Sequence, residues 1–224
     1  MKAYPNLILT TCSLLAALCL TSCFADDSAA SSKKTSKTVK ETESIKKDGL
    51  GVISLGAGCF WCIEAVLEQL DGVEAVVSGY MGGQVKNPTY RQICTGTTGH
   101  AEIVQVHFDP KKIPLKTILS YFWKLHDPTT LNRQGADVGT QYRSVIFYHN
   151  DEQKALAEAQ KKAVDESKVF KDPVVTEISK AVKFYEAEEY HQDYYRLNKD
   201  NPDGNIRYCR AVISPKLDKL GLDR

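Results

Sequence analysis

Gly51-Val52-Ile53-Ser54-Leu55-Gly56, then Gly58-Cys59-Phe60-Trp61-Cys62, then Ile63, Val66, Leu67 and Leu70 form the stretch whose reading decides the fold. The first run has the length and apolar content of a short strand, and the last four residues recur at i, i+3, i+4 and i+7, one face of a helix. Cys59 stands where the strand hands over to the helix, at or near the helix N-terminus. Unpaired N–H groups there favour an anion. A thiolate so placed is expected to have a pKa below the free value of about 8.5. Gly56 and Gly58 are expected to let the backbone turn sharply and to leave the sulfur open to a substrate. Taken alone, Cys59 reads more simply as a small buried hydrophobe beside core aromatics. The loops farther along the chain reverse that preference.

Working outward, Val73 to Tyr80 reads as a second strand, and Val104, Val106 and Phe108 alternate in a third that stops at Asp109-Pro110. Pro114 suits a first helical turn, with Leu115, Ile118, Leu119 and Phe122 at helical spacing behind it. Ser144 to Tyr148 is a strand, Asp151 to about Ser167 a helix, and Val174 to Ile178 a further strand. Strands interleaved with helices predict an α+β fold, a two-layer α/β sandwich. Two segments, Met81 to Ala101 and Asp127 to Gln141, are rich in Gly, Thr, Asn and Pro and lack periodicity. Loops of that length in a compact domain are usually functional or disordered.

At 224 residues with 42% hydrophobic content, one sizeable core is expected, with room for a tail. The formal net charge is +1, and Lys2 is the only charged residue before Cys23. That balance gives no steering towards nucleic acid. Lys2, the apolar stretch Leu7 to Leu20 and Leu20-Thr21-Ser22-Cys23 read as a signal peptide, too short for a comfortable membrane span. The last four residues resemble a bacterial lipobox, in which the cysteine is lipidated after cleavage. The expected organisation is a lipoprotein-type signal over 1–22, a flexible polar tether over 23–48 beginning at the lipidated Cys23, and a catalytic domain over 49–224. The expected address is export, with a lipid anchor to the bacterial membrane on the periplasmic side or the cell surface. A plain secretory leader with a chance cysteine is the alternative. Of seven cysteines, Cys59, Cys62, Cys94 and Cys209 lie in the folded part, too few for a staple and suited to chemistry.

Gly58-Cys59-Phe60-Trp61 resembles the signature of type A methionine sulfoxide reductases, and the resemblance runs from about Val52 to Leu217. Further matches, in family order, are Gly79-Tyr80 with Gly82-Gly83, Asn87-Pro88-Thr89-Tyr90, Gly99-His100-Ala101-Glu102, His126-Asp127-Pro128-Thr129, Asn132-Arg133-Gln134-Gly135 with Asp137, and Gly139 to Ser144. The resemblance implies a ferredoxin-like core with long functional loops, Cys59 as nucleophile and Glu102 as acid. It further implies that Phe60 and Trp61 hold the substrate methyl group and that Tyr90, Asp137 and Tyr142 complete the polar side. The residue types agree on chemical grounds. A sulfoxide has an electrophilic sulfur and a basic oxygen, so its reduction needs a nucleophile and a proton. Glu102 beside Ile103 and Val104 is expected to be desolvated and protonated near neutrality, and the phenols can hold the oxygen as charge develops.

Attack leaves Cys59 as a sulfenic acid, which condenses with a second thiol. Tyr208-Cys209 resembles the Tyr-Cys at the family's mobile end and makes Cys209 the favoured resolving residue. The adjoining segment, Arg210 to Lys216, replaces the glycine-rich tail of many members and puts that mobility in doubt. Cys62 is the alternative, though on a helix its side chain is expected about a turn away from Cys59. Direct reduction of Cys59 by an external thiol is a third route. Cys94 is expected to be buried and inert. Glu189 to Tyr194 matches a family segment and is read as a helix supporting the pocket. The implied reductant is thioredoxin or an exported equivalent, and the implied substrates are oxidised proteins or free methionine sulfoxide. The resemblance further implies the S epimer as the one reduced. No metal and no organic cofactor are expected, because no second cysteine pair is present downstream and the five histidines lack zinc-ligand spacing. A monomer is expected. Competing readings are a thioredoxin-like oxidoreductase using Cys59 and Cys62, and a non-enzymatic surface lipoprotein.

Overall fold

The computed structural model describes residues 49–201 and 206–222, so the expected signal, the lipidation at Cys23 and the tether lie outside the described residues. Strand β1 (Gly51–Ala57) leads through Gly58 and Cys59 into helix α1 (Phe60–Leu67), and β2 (Val73–Met81) returns across a turn. The helix stops short of Leu70, because Gly72 at φ +94° reverses the chain. Strand β3 (Ala101–Phe108) begins three residues before the alternation visible in sequence, and helix α2 (Tyr90–Ile93) sits inside the first long loop. Pro114 is the last residue before helix α3 (Leu115–Leu125) rather than its first turn; its φ of −71° and ψ of 145° place it in extended backbone.

The second long loop carries a two-stranded ribbon, β4 (Arg133–Gln134) against β5 (Asp137–Val138), and a 3₁₀ turn at Thr140–Tyr142. Then come β6 (Ser144–Tyr148), helix α4 (Asp151–Glu166), β7 (Glu177–Lys180) and β8 (Tyr185–Glu186). The predicted strand from Val174 is displaced to Glu177, since the Val175 N–H is taken by the Pro128 carbonyl at 2.9 Å before the ladder begins. Helix α5 (Tyr194–Asn198) is next along the chain. The described chain ends with helix α6 (Ile206–Tyr208), a π-helical stretch at Cys209–Ile213 and helix α7 (Ser214–Leu220).

The six strands lie in the order β7-β6-β1-β3-β2-β8, antiparallel throughout except for the parallel pair β6 and β7. Taken by themselves, β1, β2, β3 and β6 with crossovers α1 and α3 are the βαββαβ arrangement of a ferredoxin-like core. The fold is α+β, as expected. Ile53, Leu55, Val104 and Val106 of the central strands face Ile63, Val66, Ile118 and Phe122 of the helices in the main core. On the other face Met81, Ile103, Val145 and Phe147 form a smaller cluster under Ala181 and Phe184. That is why β1 and β3 read as nearly continuous apolar runs: they are covered on both sides.

Candidate active site

Cys59 is the N-cap of α1, with φ −58° and ψ 125°, and Gly58 before it has φ +89°. A Cβ at Gly58 would lie 2.7 Å from the Gln134 Cβ, so the turn needs glycine both for its dihedral and for the approach of the β4 ribbon. Gly56 has another role from the one expected. It lies in the strand, and a Cβ there would meet the Val145 side chain at 2.8 Å. The sulfur is also less open than expected, since Cys59 is 8% exposed.

Glu102 is carried on β3 beneath the start of α1 and is 1% exposed. Its Oε2 accepts from the Phe60 N–H at 3.3 Å, while its Oε1 has no partner among the described residues. Burial pushes its carboxyl up to about 8 against the pull of that N–H, with help from Asp137 and Cys62. It therefore holds its proton near neutrality, as the flanking apolar residues suggested.

Around this carboxyl stand the other predicted residues. The Phe60 ring is buried and stacks at 6.5 Å on Tyr90, the first residue of α2. Trp61 is stacked on Tyr194 at 3.6 Å and donates its indole N–H to His191 Nδ1 at 3.2 Å. Tyr142 ends the 3₁₀ turn, half-buried, where Glu102, Asp137 and Cys59 all act on it electrostatically. Burial raises the phenols of Tyr90 and Tyr142, so both keep their protons as donors. Asp137 on β5 is raised by burial and hydrogen-bonded to Tyr208. The structure brings Cys59, Phe60, Trp61, Tyr90, Glu102, Asp137 and Tyr142 to one place.

The thiols differ from expectation. Burial, then the hydrogen bond and charge of Cys62, push the Cys59 thiol up rather than down. Cys62 is lowered instead, first by the hydrogen bond from Cys59 and then by Lys216 and Tyr208, whose hydroxyl is 3.8 Å from its sulfur. A buried pair does not carry two negative charges, and the cation lies on the Cys62 side. The expected separation of Cys59 and Cys62 along a helix does not arise, because Cys59 is the N-cap, outside the helix, and its side chain interacts with that of Cys62. Cys209, in the π-helical stretch, is 0% exposed and feels the Cys62 charge. Cys94 is exposed, not buried, and its thiol is hydrogen-bonded to Tyr90.

Sequence reasoning assigned no part to Glu188, Tyr80 or Glu64. Glu188 accepts from the Tyr80 hydroxyl at 3.0 Å and from the Tyr90 N–H at 2.8 Å, tying α2 to the wall. Glu64 accepts from the Ser78 hydroxyl and from the Tyr194 N–H, each at 3.0 Å, and so places the ring stacked on Trp61. The segment from Glu189 does support the pocket, but as a 3₁₀ turn, a left-handed Asp193 at φ 53° and the start of α5 instead of one helix. Among the described residues no cluster of three His, Cys, Asp or Glu is placed to hold a metal ion.

The chain that places this buried thiol beside a protonated carboxyl is similar to known proteins. A family described as Peptide methionine sulfoxide reductase matches residues 51–223. The chain is 54% identical over 174 residues to peptide methionine sulfoxide reductase MsrA 1 of Rhodopirellula baltica, covering 78% of this chain and 87% of the relative. It is 55% identical over 166 residues to peptide methionine sulfoxide reductase MsrA of Leptospira borgpetersenii, covering 74% and 90%. Among solved structures, the reduced form of Mxr1 from Saccharomyces cerevisiae aligns with a TM-score of 0.64 and 35% identity, covering 70% of this chain and 88% of that one. Methionine sulfoxide reductase A of Corynebacterium diphtheriae aligns with a TM-score of 0.61 and 33% identity, covering 69% and 77%. By sequence and by fold, this chain belongs to the peptide methionine sulfoxide reductase family.

Proposed function

We propose that the protein reduces the S epimer of methionine sulfoxide, free or within proteins, through a sulfenic acid on Cys59. The observation that carries this reading is the unpartnered, protonated Oε1 of Glu102 beside Cys59 and the Phe60 and Trp61 wall. The Cys59 sulfur attacks the sulfoxide sulfur while Glu102 lends its proton to the oxygen, and the thiol's own proton restores Glu102. The substrate S–O bond and the new bond from Cys59 to the substrate sulfur then break as the hydroxyl passes to the Cys59 sulfur, so methionine leaves and Cys59 becomes a sulfenic acid. Tyr90 and Tyr142 donate to that oxygen as its charge grows. A methyl wall and an oxygen-binding side fixed around one sulfur accept one hand of the substrate.

A second thiol then displaces the oxygen as water and forms a disulfide. Cys62 is favoured over Cys209 for this step, because its side chain interacts with that of Cys59 whereas Cys209 is buried in the π-helical stretch. Thioredoxin, or an exported dithiol protein like it, attacks that disulfide and restores the enzyme. The lipobox-like Leu20-Thr21-Ser22-Cys23 supports lipid-anchored work outside the cytoplasm on proteins oxidised there. The test is a single turnover with each epimer, reading methionine formed and the disulfide by mass spectrometry. One equivalent from the S epimer, nothing from the R epimer, and a Cys59–Cys62 disulfide that persists in Cys209→Ser are expected. Equal use of both epimers sinks the stereochemical assignment, and a disulfide lost in Cys209→Ser returns the resolving role to Cys209.

A further inference from the structure

One cavity lies away from Cys59, on the helical side of the sheet. Between α3, α4 and α7 it measures about 640 Å³, floored by Trp123, Val164, Phe170 and Leu220. Val169, also on its wall, is 78% exposed. Lys116, Lys124 and Lys219 stand around its mouth, and among the described residues none of the three is in an ion pair. A second cavity of about 300 Å³ shares Lys124, Phe170 and Lys219 with the first and runs on to Gln134 and Lys216. Gln134 is the residue packed against Gly58, and Lys216 acts on both Cys62 and Asp137. The two cavities make a trench that is apolar and lysine-rimmed at α4 and ends beside the catalytic turn, where Asp127 joins Lys216 in its lining.

We propose that this trench receives the stretch of polypeptide flanking an oxidised methionine, and that it selects stretches in which apolar and acidic residues neighbour the sulfoxide. The inference rests on the reductase reading above and names the class of protein substrate. A polypeptide whose sulfoxide reaches Cys59 must lay its neighbours on the surface, and an extended chain advances about 3.3 Å per residue. The floor offers burial to an apolar side chain. The three ammonium groups, none neutralised by a carboxylate and that of Lys124 resting 5.9 Å over the Tyr121 ring, favour carboxylates at the rim, by an interaction that salt screens. Free methionine sulfoxide has no flank and gains nothing from the trench.

The experiment uses the full chain with dithiothreitol as reductant and three substrates of the S epimer. These are N-acetylmethionine sulfoxide amide, a peptide with Leu, Phe, Asp and Glu around the sulfoxide, and an equally long peptide with Ser and Lys there. The expected result is a kcat/KM about tenfold higher for the acidic apolar peptide at low ionic strength, narrowing as salt rises. Lys116→Glu, Lys124→Glu and Lys219→Glu combined should remove or invert that preference while N-acetylmethionine sulfoxide amide is turned over at the wild-type rate, with an unchanged melting curve as the folding control. Equal kcat/KM for the two peptides in the wild type overturns the proposal. So does a preference that survives in the triple variant, or, in a parallel assay with thioredoxin in place of dithiothreitol, a triple variant altered only in its KM for that reductant, which makes the trench the reductant's dock. A wild-type protein that fails on the small amide loses the reductase reading and this inference together.

Discussion

At the scale of single residues, Glu102 carries the clearest consequence. Its carboxyl is neutral in the resting site because burial, not a hydrogen-bond donor, sets its proton affinity, and its one free oxygen is the place for a proton to leave. A general acid of this kind contributes about 10²–10⁴-fold. Glu102→Gln should therefore slow single-turnover methionine formation by that factor while leaving sulfoxide binding within a few-fold of wild type. In the wild type the acid form is lost as pH rises through about 8, so the single-turnover rate should fall above that pH and the Gln variant should lack that descending limb. A rapid-quench pH series on both proteins is the check, and an unchanged rate in Glu102→Gln removes the residue from the acid role.

At the scale of elements, the turn between β1 and α1 is the part that sequence change would disturb first. Gly58 combines a positive φ with a backbone that the Gln134 side chain approaches closely. Gly58→Ala introduces a left-handed residue with a Cβ and pushes the β4 and β5 ribbon outward. Strain of this type costs about 1–3 kcal/mol. The expected outcome is a lower Tm together with slower attack by Cys59, because the ribbon carries Asp137 and leads to Tyr142. Calorimetry and single-turnover rates on the same preparation test it, and a variant with wild-type Tm and rate shows that the turn relaxes freely.

At the scale of the whole molecule, one buried carboxyl links three elements: Glu64 on α1 holds Ser78 on β2 and Tyr194 on α5. Burial raises Glu64 to about 7, so the folded state binds this proton more tightly than the unfolded chain, whose glutamate titrates at about 4.3. Its contribution is complete below the unfolded value and is lost as pH rises to about 7. Glu64→Gln should therefore destabilise the protein more at pH 5 than at pH 8, by a difference of about 2 kcal/mol. Denaturant melts of both proteins at the two pH values decide this. A penalty that grows with pH would falsify the burial account, since it requires an ionised Glu64 to be the stabilising form.

Much of the protein was legible without its fold. The strand before Cys59, the i, i+3, i+4 pattern after it and the alternation at Val104, Val106 and Phe108 are local signals with fixed periods, and they placed β1, α1 and β3 to within a few residues. The ordered motifs around Cys59, Tyr90, Glu102, Asp137 and Tyr142 named the residues that gather at the site, since each motif is contiguous in the chain. What sequence could not supply is every property set by neighbours distant along it. The displacement of β7 to Glu177 depends on a carbonyl at Pro128, and the link between Glu64 and Tyr194 spans the length of the domain. The elevation of the Cys59 thiol arises because burial outweighs the helix N-terminus, and burial is a sum over elements packed from all sides. The closeness of Cys62 to Cys59 turned on whether Cys59 is inside the helix or caps it, a dihedral choice made by Gly58 and the ribbon pressed against it. Periodicity and composition are written in one dimension; proton affinities and the company each thiol keeps come only from packing in three.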